Sequence, residues 1–176
     1  MINKAIAFAA EKHKGQKRKY TGEDYIVHPL AVSEIVGEIT DDKEMLIAAI
    51  LHDTLEDTDC TFWELLEEFG YSVACLVSDL TDASNNFNTS GYPELNRVKR
   101  KILDRIKLNG VSNRAKTIKL ADLIHNTSSI VEHDKKFAKV YMQEKRDLLP
   151  CLKGGDSSLY NRANLQIAQY EADQNE

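Results

Sequence analysis

The sequence predicts an all-α fold, a bundle of about eight to ten helices in one domain spanning residues 1–176. Three observations lead there. Apolar residues recur at three- and four-residue spacing along most of the chain, the period of an amphipathic helix. Glycine and proline are scarce, eight and three, fewer than a protein of many strands and turns would use. Strand-type alternation persists no further than Tyr25 to His28. A hydrophobic fraction of 42% and a charged fraction of 29% are those of an ordinary globular protein, with room for one sizeable core.

Each element has its own signal. Ile2, Ala5, Ile6 and Ala9 share one face of a first helix that should end near Gly15. Pro29 suits the first turn of a second helix, where a missing N–H costs nothing, and Val32, Ile35, Val36 and Ile39 follow at helical spacing. A third helix opens at Asp41-Asp42, acids that complement the positive end of the helix dipole. Its apolar run through Met45, Ile47, Ala49 and Ile50 carries on over His52 and Asp53 to Asp57. Thr61 and Glu64 are spaced as a capping box, Gly70 as a stop, and another helix covers Ser72 to Leu80. Residues 83–93 form a polar loop. Helices then cover 94–108, closed by Gly110; 113–132, capped by Ser112; 135–149; and 157–172. The last two are separated by Lys153-Gly154-Gly155, and a polar tail follows 172.

Composition narrows the function. A net charge of -5 argues against a general nucleic-acid binder, but a local basic cluster can still set the field at a pocket for a small anion. The longest apolar stretch, Met45 to Leu51, is too short to span a membrane, and no signal peptide is expected at Met1. Cys60, Cys75 and Cys151 cannot all pair and form no C-x-x-C, which points to reduced thiols in the cytoplasm. The expected partner is a small-molecule nucleotide, with no nucleic acid and no membrane; oligomeric state is left open.

The chemistry gathers in four segments. His52-Asp53 lies in the run from Ala48 to Asp57, where ionisable groups on a core-facing helix are costly to bury without a counter-charge. His52 and Glu56 are i,i+4, as are Asp53 and Asp57, so the two pairs project from neighbouring faces. Asp122 and Asn126 are i,i+4 on an otherwise apolar helix, and His28 stands just before a helix start. Together His28, His52, Asp53 and Asp122 offer two neutral nitrogens and two carboxylates. That set suits one divalent cation, with Mn²⁺, Fe²⁺, Zn²⁺ or Co²⁺ favoured by the absence of sulfur. The fourth segment, Lys12 to Lys19, holds Lys12, Lys14, Lys17, Arg18 and Lys19 without an acid. It suggests a phosphate-gripping loop, since Arg forks onto phosphate oxygens.

These segments resemble a known family. His13-x-Gly15-Gln16-x-Arg18-Lys19 and Gly22-Glu23-x-Tyr25-Ile26-x-His28-Pro29 look like the opening of the HD-type hydrolase domain of RelA/SpoT proteins. Leu51-His52-Asp53-Thr54-x-Glu56-Asp57-Thr58 resembles that family's HD motif with its adjoining acidic pair, and Lys119-Leu120-Ala121-Asp122-x-x-His125-Asn126 its third motif. The resemblance covers about residues 3–150, with the motifs lying within 12–126. It implies an HD-domain bundle that hydrolyses the 3′-pyrophosphate of (p)ppGpp, usually with Mn²⁺ held by His28, His52, Asp53 and Asp122. It further implies that Glu56 and Asp57 position or activate the attacking water, that Arg18 and Lys19 contact substrate, and that Asn126 lies close to the ribose or phosphate. After the helices are counted no room remains for a synthetase domain, so a hydrolase-only enzyme is expected.

The chain departs from the family pattern at Asp24, where proline is common before Tyr25, and at Leu123-Ile124, where Arg-Leu is usual. The ligand set is spared, but an HD phosphohydrolase acting on an adenine alarmone, a nucleoside triphosphate or a nucleoside monophosphate stays open. So does a non-catalytic binding or antitoxin module on the same scaffold. A second metal would need further histidines, and only His13, His125 and His133 remain.

Overall fold

The computed structural model describes residues 1–83 and 95–174. Apart from Ala83, the loop expected over 83–93 lies outside the described residues, as do the last two residues of the tail. Among the described residues the elements are α1 (Ile2–Lys12), α2 (Val27–Gly37), α3 (Lys43–Leu51), α4 (Thr54–Asp57), α5 (Phe62–Phe69), α6 (Tyr71–Leu80), α7 (Arg97–Gly110), α8 (Asn113–His133), α9 (Lys135–Leu148), a 3₁₀ turn (Leu149–Leu152) and α10 (Ser157–Asp173). The only β pairing among these residues is an isolated bridge between Lys17 and Asp24. The all-α expectation holds.

Helix α8 is the axis of the bundle. It buries residues on every side, among them Ile118, Leu120, Ala121, Leu123 and Ile124, because α2, α6, α9 and α10 all pack against it. Helix α3 fills the space between α1, α2, α6 and α8 with Met45, Ile47, Ala48, Ala49, Ile50 and Leu51, all buried. The caps follow the sequence. Asp42 accepts from the Glu44 and Met45 amides, Thr61 and Glu64 form both bonds of the capping box, and Ser112 accepts from the Ala115 amide. Gly70 closes α5 at φ +85°, a conformation that favours glycine.

Four expectations need correction. α1 ends at Lys12, with His13 as its cap and Gly15 (φ +82°) turning the chain afterwards. His28 stands inside α2 and not just before it: tight turns bring the Val27 amide to the Asp24 carbonyl and the His28 amide to the Tyr25 carbonyl, so His28 and Pro29 both sit in the first turn. α7 starts at Arg97, where the Asn96 side chain caps the Lys99 amide, and it includes Gly110. The run to Asp57 is not one helix, since α3 stops at Leu51 and α4 restarts at Thr54. Side chains explain the break. His52 Nδ1 bonds the Ala49 carbonyl at 2.8 Å and the Thr54 hydroxyl donates to the Leu51 carbonyl at 2.7 Å, competing with the helical amides for those acceptors. His52 and Asp53 are thereby set at a junction.

Candidate metal centre and substrate site

Three elements bring the ionisable groups together: the first turn of α2 carries His28, the α3–α4 junction His52 and Asp53, and the middle of α8 Asp122. Asp53 Oδ2 lies 3.1 Å from His52 Nε2 and 3.5 Å from His28 Nε2. Asp122 Oδ1 lies 3.3 Å from His28 Nε2 and 3.8 Å from His52 Nε2. His28, His52 and Asp53 each offer a ligating atom within 4.8 Å of the others, and Asp122 Oδ1 stands beside them. All four residues expected to hold a metal therefore converge.

The hydrogen bonds behind the cluster suit it to a cation. Nδ1–H of His52 donates to the Ala49 carbonyl, which turns Nε2 toward the carboxylates. That nitrogen is buried 3.1 Å from Asp53 Oδ2. His28 Nδ1 meets His125 Nδ1 at 2.8 Å. Burial and the neighbouring His28 push His125 down to about 4, and His28 also turns Nε2 to the carboxylates. Burial alone would lower His52, but the charges of Asp53 and Asp122 carry it up to about 9. Burial raises Asp53 and Asp122, yet the imidazoles, and Lys119 for Asp122, hold both below the usual carboxylate range. The cluster draws positive charge to the point where ring nitrogens and carboxylates meet. The donor set fits a divalent cation.

Around this centre the other expected residues divide. Asp57 is tied in through the Tyr25 hydroxyl, which lies 2.7 Å from Asp53 Oδ2 and 3.4 Å from Asp57 Oδ2. Burial and the Asp53 charge raise the Asp57 carboxyl. Glu56 turns toward the base of the 81–83 segment, accepting from the Asp82 amide at 3.0 Å, and burial with the Asp82 charge pushes it up to about 7. Asn126 donates to Asp122 Oδ1 at 2.6 Å and accepts from Arg18 at 3.0 Å, linking the guanidinium to the cluster.

The basic run does not act as a unit. Lys12 pairs with Asp59 and Glu64, Lys14 with Glu11, and Lys17 with Asp24. Arg18 alone of the five reaches the cluster's partners. Lys19 bonds Tyr20 and Asp134 and lines, with Arg18, Tyr25 and Asn126, a cavity of about 280 Å³. A second cavity of about 160 Å³, also lined by Asn126, is walled by Asp122, Lys119, Lys101, Tyr141 and Lys145.

Sequence reasoning gave no role to Tyr25, His125 or Lys119. His125 is three residues after Asp122, the spacing that places both on one face of α8, so that signal was present. Lys119 is likewise three residues before Asp122 and contacts its Oδ2 at 2.8 Å. Nothing local announces that the Tyr25 hydroxyl meets Asp53, 28 residues on.

The comparisons agree with this architecture. The HD domain family profile matches residues 5–149. A guanosine-3′,5′-bis(diphosphate) 3′-pyrophosphohydrolase of Aquifex aeolicus is 56% identical over 80 residues, which are 46% of this chain and 11% of that protein. The chain thus spans a small part of that relative. The guanosine-3′,5′-bis(diphosphate) 3′-pyrophosphohydrolase MESH1 of Xenopus tropicalis is 36% identical over 168 residues, covering 90% of this chain and 88% of that one. A solved structure described as a metazoan ortholog of SpoT that hydrolyzes ppGpp superposes with a TM-score of 0.84 at 29% identity, over 96% of this chain and 94% of that one. With the profile and a nearly full-length relative in agreement, the chain belongs to the HD domain family and, within it, to the relatives of MESH1.

Proposed function

We propose that the chain, as one HD hydrolase domain in the cytoplasm, hydrolyses the 3′-pyrophosphate of ppGpp and pppGpp to GDP or GTP and pyrophosphate. Mn²⁺ is the favoured cation, held by His28, His52, Asp53 and Asp122. The single observation that carries this is the convergence of those four donors beside the Arg18–Asn126 link. When bound, the cation would acidify water and offset negative charge developing on the phosphoryl oxygens. Arg18 and Lys19 suit the outer phosphate of the 3′-pyrophosphate, and Asn126, bonded to both Arg18 and Asp122, suits the 3′ oxygen's surroundings. Glu56, half-buried with its carboxyl near neutrality, and Asp57 are suited to orient the attacking water and take its proton. The oxygen of that water joins the 3′-attached phosphorus, the bond from phosphorus to the ribose 3′ oxygen breaks, and that oxygen leaves with a proton. The similarity to MESH1, a guanosine-3′,5′-bis(diphosphate) 3′-pyrophosphohydrolase, supports the same substrate.

A second reading rests on Leu123. It lines the 160 Å³ cavity, an apolar side chain where the family pattern has arginine, and so favours testing adenine alarmones beside guanine ones. Mn²⁺-loaded protein should be offered ppGpp, pppGpp, ppApp, GTP and dGTP, with pyrophosphate and orthophosphate followed separately. Pyrophosphate released in one step from ppGpp is expected. Stepwise orthophosphate, or cleavage of GTP and dGTP alone, would defeat the alarmone reading and leave another HD phosphohydrolase; no turnover of any would leave a binding module.

A further inference from the structure

Tyr25 touches both the four-donor cluster and the acidic pair beside it. Asp53 and Asp57 are i,i+4, a spacing at which two carboxylates repel each other. The Tyr25 hydroxyl stands between them, 2.7 Å from Asp53 Oδ2 and 3.4 Å from Asp57 Oδ2. A phenol keeps its proton near neutral pH, so it can give a hydrogen bond to a carboxylate. Among the described residues it is the one hydrogen-bond donor to the Asp57 carboxylate. Without it, no donor sets that side chain's direction. The ring itself is held. Its backbone amide donates to the Gln16 carbonyl at 3.1 Å. The ring centre lies 4.7 Å from that of His13 and 5.8 Å from that of His28, with the Arg18 guanidinium 5.8 Å away. Gln16 donates its side-chain amide to the Asp57 carbonyl at 2.7 Å, and its Oε1 lies 2.9 Å from His13 Nδ1. The loop from His13 to Tyr25 thus holds Asp57 at two points, its backbone and its carboxylate.

We propose that Tyr25 is a positioning residue whose single hydroxyl serves two carboxylates: it sets Asp53 in place as a ligand of the cation and keeps Asp57 turned toward the attacking water. The assignment rests on the hydrolase reading above, in which Asp53 helps to hold the cation and Asp57 helps to orient the water. Tyr25 acts through those two side chains and not on the substrate. The 2.7 Å bond fixes the carboxylate oxygen that lies nearest both ring nitrogens of the cluster. The longer contact holds Asp57 beside that oxygen, against the repulsion that would turn it away. Partners of this kind, one bond removed from a metal, typically count for about 10–100-fold in metal affinity or activity.

The test removes the hydroxyl alone, since Tyr25→Phe keeps the ring among His13, His28 and Arg18. Calorimetry with Mn²⁺ and no nucleotide reads the Asp53 half: the variant should bind Mn²⁺ about tenfold or more weaker than wild type. Kinetics on ppGpp at saturating Mn²⁺ read the Asp57 half. There kcat should fall about tenfold or more with KM little changed. In an Asp57→Asn background the same substitution should leave the residual kcat where it is, because residues that act as a unit are not additive. Unchanged Mn²⁺ affinity would overturn the proposal, and so would unchanged kcat. An equal fall of kcat in both backgrounds would overturn it too, since a hydroxyl that merely supports the fold matters whether or not Asp57 is charged. If Tyr25→Phe does not fold, ¹⁹F NMR of the chain carrying 3-fluorotyrosine at position 25 decides. Zn²⁺ and, separately, Asp57→Asn must each move its resonance; a resonance that either leaves in place sinks the idea. Failure of the alarmone reading looks different: wild type then leaves ppGpp intact while Mn²⁺ affinity still depends on the hydroxyl, and the kinetic half is read on whichever nucleotide does turn over.

Discussion

Glu56 and Asp57 are neighbours in sequence that face different partners: Asp57 the Tyr25 hydroxyl beside Asp53, Glu56 the Asp82 amide. Neither belongs to the four-donor cluster, so each can be removed without emptying it. Glu56→Gln is expected to keep substrate affinity while kcat falls by roughly 10²–10⁴-fold, the scale of a general acid–base group; unchanged kcat would take Glu56 out of the mechanism. Arg18 differs. It reaches the cluster only through Asn126, at the mouth of the 280 Å³ cavity. Arg18→Ala should therefore raise KM more than it lowers kcat, as steady-state kinetics on ppGpp would reveal.

At the scale of elements, two devices hold the site. One is the break between α3 and α4, where the His52 ring and the Thr54 hydroxyl take backbone acceptors and set the His-Asp pair at a junction. The other is the turn before α10. Gly155 approaches α8 so closely that a Cβ there would lie 2.9 Å from Leu120 Cδ1 and 3.1 Å from the backbone of Lys116 and Thr117. Backbone cannot retreat as a flexible side chain can, and Asp156 donates its amide to Thr117 in the same contact. Gly155→Ala should cost about 1–3 kcal/mol, the range for overpacking, read as a lowered urea midpoint. An unchanged midpoint would mean that the turn relaxes freely.

For the whole molecule, the consequence is linkage between the site and stability. His28, His52, Asp53 and Asp122 come from three elements far apart in sequence, so a cation they share binds the folded state and not the unfolded one. Mn²⁺ should raise Tm, more so at higher concentration. His52→Ala and Asp53→Ala should lose that rise together with the metal found in chelator-free preparations, and equal metal content in all three proteins would refute the ligand set. Lys145 adds a pH dependence. Its folded value of about 7 lies below the ordinary 10.5, so the unfolded chain holds more protons between those values. The stability that burial removes is therefore missing below pH 7 and regained as pH rises toward 10.5, on the order of a few kcal/mol. Denaturant unfolding of the wild type should gain on Lys145→Met across that window; a constant difference would show that the amine stays charged.

What the sequence determined by itself is what local physics governs. Helical period, the Asp42, Thr61 and Ser112 caps and the Gly70 stop each act within a few residues, and they delimit most of the bundle. The His-Asp motif, with Asp122 and His28, named the metal-binding chemistry because four such groups in apolar runs need a common counter-charge. Tertiary structure decided which charges stay available. It paired Lys12, Lys14 and Lys17 with acids and turned only Arg18 toward Asn126. It set His125 behind His28 and Tyr25 against Asp53, contacts made across 97 and 28 residues. It also buried Lys145 among neutral acceptors from α8 and α10. The reason is that a side chain's charge is set by whatever packs beside it, and those neighbours arrive from distant segments only when the helices close around α8.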